Sequence, residues 1–113
     1  MRTLKFIVDG QNITQDPSCD FSGLVPGTKG YLRAEFSFVS SDWVGCIRAA
    51  SFFNMMGKEY CAKMINYNDG TFFCIIPNEA LEKRRFKIQV MGAIPATEYL
   101  IKTNKVTVCQ DGR

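Results

Sequence analysis

Histidine is absent from this chain of 113 residues, and tryptophan occurs once. Ser-His-Asp and Cys-His mechanisms need an imidazole to carry the proton, so both are excluded. The five cysteines, Cys19, Cys46, Cys61, Cys74 and Cys109, form no Cys-x-x-Cys pair. A zinc site would need four of them gathered from distant segments, so no metal is expected. The thiols are expected to be free and to pack as small buried hydrophobes. Phosphate-cradling glycine loops of the Walker or dinucleotide type are also missing, and no cofactor is expected.

Long apolar runs are lacking too. The opening "MRTLKFIVDGQN" is cut off by Asp9 and Gly10, which predicts that it is not a signal peptide. Nothing approaches the roughly 20 apolar residues of a membrane helix, so no membrane partner is expected. Charge of one sign is scarce: 14 basic against 11 acidic residues leave a net charge of +3, a field too weak to argue for nucleic acid. What is present is 46% hydrophobic and 12% aromatic residues, the composition of one packed domain over residues 1–113.

Alternation of side chains then sets the fold class. "TLKFIV" places Leu4, Phe6 and Val8 on one face, and "YLRAEFSF" does the same with Leu32, Ala34, Phe36 and Phe38, the two-residue period of half-buried strands. Asp9-Gly10 turns the first strand toward "QNIT" as a short partner. "QDPSCDFSGLVPGTKG" is rich in Pro, Gly, Ser and Asp and reads as an irregular connection pinned by Phe21, Leu24 and Val25. "WVGCIRAASFFNM" is predicted as one strand, with Trp43, Ile47, Ala49 and Ser51 opposing Val44, Cys46, Arg48, Ala50 and Phe52.

"GKEYCAKMINY" and "TFFCIIP" are joined by the hairpin signal Asn68-Asp69-Gly70, and the second of them reads as a buried strand stopped by Pro77. "NEALEKRR" offers Asn78 as N-cap, with Glu79 and Glu82, for one short helical turn. "FKIQVMG" alternates Phe86, Ile88 and Val90 against Lys87, Gln89 and Met91. "EYLIKTNKVTV" is a last strand, either continuous or kinked at Thr103 and Asn104, and "CQDGR" reads as a frayed end. The tally is about seven strands with turn signals roughly every ten residues. An all-β, immunoglobulin- or fibronectin-like sandwich is predicted, with a small barrel as the alternative.

Among candidate reactive groups, Glu35, Asp42, Glu59 and Glu98 show no spacing that would make two of them converge as a glycosidase pair, so no catalytic residue is assigned. "NIT" at Asn12 matches a glycosylation acceptor and, with no secretory signal predicted, reads as chance. The run "EKRRFK" is the densest charge and reads as a solvated face or, through Arg84 and Arg85, as a protein contact, since the planar guanidinium pairs with carboxylates. "FFNMMGKEY" carries Phe52, Phe53, Met55, Met56 and Tyr60 beside Gly57, where a flexible thioether pair suits core or interface. These seven residues form the candidate partner-binding set.

Taken in order, "LKFIVDGQ", "DFSGLVPGTKGYLRAEFSF", "DWVGCIRAASF", "IPNEALEKRRFKIQVMG" and "TNKVTV" resemble small structural proteins of phages and prophages of Gram-positive gut bacteria. "IPNEALEKRRFKIQVMG" in particular looks like a stretch in the immunoglobulin-like N-terminal domain of phage baseplate upper proteins. The resemblance implies a non-enzymatic tail, baseplate or capsid module, or a free-standing accessory protein, found in the virion or the host cytoplasm. Its partners would be other virion proteins or further copies of itself. A carbohydrate-binding module is the alternative and needs exposed rings in a row, such as Trp43, Tyr60 and Tyr99. A nucleic-acid contact through "EKRRFK" is the third option.

Overall fold

The computed structural model describes residues 1–68 and 70–112. Its first strands are β1 (Arg2–Asp9), β2 (Asn12–Gln15), β3 (Leu32–Phe38), β4 (Ile47–Phe53) and β5 (Glu59–Lys63). They are followed by β6 (Ile65–Asn68), β7 (Thr71–Ile75), β8 (Arg85–Ala93), β9 (Leu100–Lys102) and β10 (Val106–Cys109). One sheet has the order β2-β1-β3-β7-β6, and the other has β10-β8-β4-β5 with β9 also on β8. The protein is an all-β sandwich.

The alternation seen in the sequence supplies the core. Leu4, Phe6, Ala34 and Phe36 from one sheet face Phe52 and Ile88 from the other, all buried, and each large side chain contributes about 1.5–3 kcal/mol by leaving water. Phe6 stacks on Phe36 at 5.5 Å, a cross-strand pair set by the parallel register of β1 and β3. Gly10, at φ +59°, makes the tight β1–β2 turn that an L side chain would strain.

Among the described residues ten strands stand where turn spacing predicts about seven. The short return Asn12–Gln15 is a strand of its own, and two runs divide. Residues 59–68 change sheets at the buried Met64, whose N–H donates to the Arg48 carbonyl at 3.1 Å, so one sequence run becomes β5 and β6. The final run breaks at residues 103–105, and β9 and β10 share the edge of β8 opposite β4. Thr103 bridges that break: its N–H donates to the Val90 carbonyl, and its Oγ1 accepts from the Val90 N–H, both at 3.0 Å. Asn104 then reaches the other sheet, donating its N–H to the Gln11 carbonyl and accepting from the Ile13 N–H.

Other local expectations are corrected. Trp43 lies on a 3-10 turn, Ser41–Trp43, because Gly45 at φ +79° interrupts the extended chain before Ile47. Its indole N–H donates to the Gly10 carbonyl at 2.8 Å. A second 3-10 turn, Asn78–Leu81, replaces the single helical turn, and Asn78 caps nothing. The Asn78 carboxamide oxygen instead accepts from the Gly30 N–H, tying down the long connection. That connection is pinned by Leu24 and Phe21, whereas Val25 is 43% exposed.

β7 is half-buried: Cys74 faces inward and Ile75 outward, because the sheet covers one of its faces only. The Asn68-Asp69-Gly70 turn includes Asp69, which lies outside the described residues. The expected frayed end is anchored, with the Gln110 amide donating to the Leu81 and Lys83 carbonyls and the Gly112 N–H to the Leu24 carbonyl. All five cysteines are free, but only Cys74 is buried; Cys61 and Cys109 occupy outward positions of the strands β5 and β10.

Among the described residues Arg48 is the one buried cation, 9% exposed. Its guanidinium lies 4.4 Å from the centre of Phe38 and 4.0 Å from that of Phe72, and Nη2 donates to the Trp43 carbonyl. The ring faces offset part of the lost hydration. Burial pulls its pKa below the ordinary arginine value. Among the described residues no helix is long and apolar enough to cross a membrane.

Candidate partner-binding groove

Strand β4 brings Phe52 inward and Phe53 outward, since successive side chains alternate across a sheet. Beyond Phe53 the Asn54 side chain organises the hairpin: its Oδ1 accepts from the Met56 N–H at 3.0 Å and the Lys58 N–H at 2.9 Å. The loop therefore presents its methionines to solvent, Met55 at 46% exposure and Met56 at 84%.

On the neighbouring strand the register pairs Phe53 with Lys87, and Lys87 in turn with Thr107 of β10. Arg85 lies two residues before Lys87 on the same outward face. The kink after Thr103 carries Lys105 across this face until its Nζ stands 4.0 Å from the centre of the Phe53 ring.

Three separate segments thus line one groove of about 560 Å³, to which Phe53 and Met55 contribute apolar surface and Arg85, Lys87 and Lys105 three cations. Among the described residues no carboxylate lines it. It runs on into a smaller hollow of about 190 Å³ where Met55 and Arg85 meet Arg84, Cys109 and Asp111. The nearest structured acid on the β4–β5 side is Glu59, the cross-strand partner of Phe53. Its carboxylate accepts from Ser51 Oγ, which holds its pKa below the ordinary value; a bond from Cys61 and the fields of Lys102 and Lys105 act in the same direction.

Of the seven residues singled out from sequence, Phe53, Met55, Arg84 and Arg85 come together here. Met56 sits exposed on the same hairpin without lining the groove. Phe52 is corrected: it is fully buried, with its ring 6.5 Å from that of Phe86, because the register of β4 turns it into the core. Tyr60, paired across strands with Phe52, is half-buried with Lys58 Nζ 5.5 Å from its ring, outside the groove. Sequence reasoning missed Lys105 and Thr107. Nothing local marks them, since only the break in the last strand sets β10 beside β8 and lets Lys105 reach Phe53.

Chemically the groove presents the cations of Arg85, Lys87 and Lys105 beside the Thr107 side chain. Ser51 is fully buried under Glu59 and is closed to a substrate. Glu35 and Glu59 stand on the outer faces of different sheets. Among the described residues no three His, Cys, Asp or Glu side chains are grouped to hold a metal. Trp43 is buried in the core, so Trp43, Tyr60 and Tyr99 form no row of exposed rings. No family model and no curated protein matches the chain.

Proposed function

We propose that this chain is a non-enzymatic β-sandwich module that works through protein–protein contact. The setting we propose is a phage or prophage particle, as a tail, baseplate, capsid or accessory component, in the virion or in the host cytoplasm during assembly. The observation that carries the contact role is the groove itself: Phe53, Met55, Arg85, Lys87 and Lys105, drawn from three segments, converge on one concave surface. Arg85, Met55 and Phe53 are of the residue types enriched at interfaces. The phage setting is supported only by the order of sequence segments described above.

Affinity capture tests the proposal. The tagged chain should retain a virion component from a host lysate in which the products of neighbouring genes are expressed. Retention of a polysaccharide with no virion protein would sink it.

A further inference from the structure

Resting on the protein-contact reading above, we infer that the groove accepts an extended acidic segment of the partner, with carboxylates at alternating positions. The inference starts from spacing. Arg85 and Lys87 are separated by one residue on a single strand and point to the same face. Two residues of strand rise put their Cα atoms roughly 6.8 Å apart. An extended peptide repeats its side chains on one face with the same rise, so a carboxylate-x-carboxylate segment can meet both cations in register.

The rest of the groove agrees. Lys105 adds a third cation from the segment that leads into β10. Among the described residues three cations and no carboxylate line the groove; Glu59 near Lys105 and Asp111 beside Arg85 in the adjoining hollow offset part of that field, and the net basic surface favours an acidic partner by complementarity. Arg85 provides the planar fork that pairs with a carboxylate through two hydrogen bonds. The intervening side chain of the segment would point away from the cations, and flanking apolar atoms would rest on Met55.

A nucleic acid is the competing polyanion, and the aromatic geometry disfavours it. Single strands bind by stacking bases on open aromatic faces. Here Lys105 stands over Phe53 at 4.0 Å and Lys58 near Tyr60 at 5.5 Å, so a cation already holds a face of each ring at this end. The chain's net charge of +3 also falls short of the strongly basic footprint of nucleic-acid binders.

The test is a titration of the ¹⁵N-labelled protein, followed by its amide resonances. Three probes are used: a peptide alternating Glu and Val, its Gln-for-Glu counterpart, and a single-stranded oligonucleotide. The expected result is saturable shifts at residues 53–57, 85–87 and 105–107 with the Glu peptide. Binding should weaken at least tenfold for the Gln peptide and for R85E/K87E. Those side chains are exposed, so the variant should keep its fold, and K105E serves as an independent variant.

Three results would overturn the inference: no saturable shifts with the Glu peptide, shifts indifferent to both variants, or tighter binding of the oligonucleotide. The capture experiment separates the two levels. If R85E/K87E and K105E still retain the virion component, the acidic-segment inference fails while the contact role stands. If the unaltered protein retains none, the contact role itself fails.

Discussion

Lys105 Nζ lies 4.0 Å from the centre of the Phe53 ring, and this contact couples the kink between β9 and β10 to the end of β4. The two residues are distant in sequence, and the pair sits at a surface where a cation over an aromatic face contributes about 0.5–1 kcal/mol. A double-mutant cycle of Lys105→Gln and Phe53→Leu, read by urea unfolding, should return a coupling of about that size. Strict additivity of the two changes would show that the ammonium merely rests there.

Gly92 faces Trp43 closely enough that an added Cβ would stand 2.7 Å from Cζ3 and 2.8 Å from Cε3 of the indole. Gly92→Ala must therefore displace a fully buried ring whose N–H is held by the Gly10 carbonyl. The expected cost is about 1–3 kcal/mol from overpacking, measured as a lower urea midpoint at unchanged slope. Pairing the change with Trp43→Leu should make Gly92→Ala markedly less harmful than it is in the parent protein.

Thr103 completes the β8 edge where the last strand breaks, its Oγ1 accepting from the Val90 N–H at 3.0 Å. Thr103→Val keeps the shape and removes the acceptor, leaving a buried donor unpaired. A loss of about 1–3 kcal/mol is expected, together with faster hydrogen exchange at Val90. Thr103→Ser, which restores the hydroxyl, should recover most of the protection.

Burial pushes the Cys74 thiol from its ordinary 9.0 up to about 12. Below about pH 9 the thiol is protonated in both folded and unfolded chains, and its contribution to stability is fully present. Between about 9 and 12 the unfolded chain ionises first, so the contribution declines as pH rises, by up to roughly 1.4 kcal/mol per pH unit. Cys74→Ala should flatten the alkaline limb of the stability profile. In the native protein, alkylation should reach the exposed Cys61 and Cys109 rapidly and Cys74 only after unfolding.

Much of this architecture was legible from local pattern. Leu4, Phe6 and Val8, then Leu32, Ala34 and Phe36, then Phe86, Ile88 and Val90 alternate with outward residues and are all buried. A two-residue period has only one geometric realisation, a strand with one face in the core. The break at Thr103 and Asn104 was legible as well, as one of two options for the last strand. Phe53, Met55 and Arg85 of the groove, and Arg84 of the adjoining hollow, stood out as clusters of apolar and basic side chains.

Alternation thus specified strands, their inward faces and the class of fold, because each of these depends on residues within a few positions of one another. Pairing did not follow from it. That Met64 carries one run from sheet to sheet, that Phe52 is lost to the core while Phe53 remains, and that Lys105 arrives beside Arg85 and Lys87 were decided by register and by the 103–105 kink. Those are long-range choices, settled only when two sheets close over a shared core and each edge must find partners for its backbone groups.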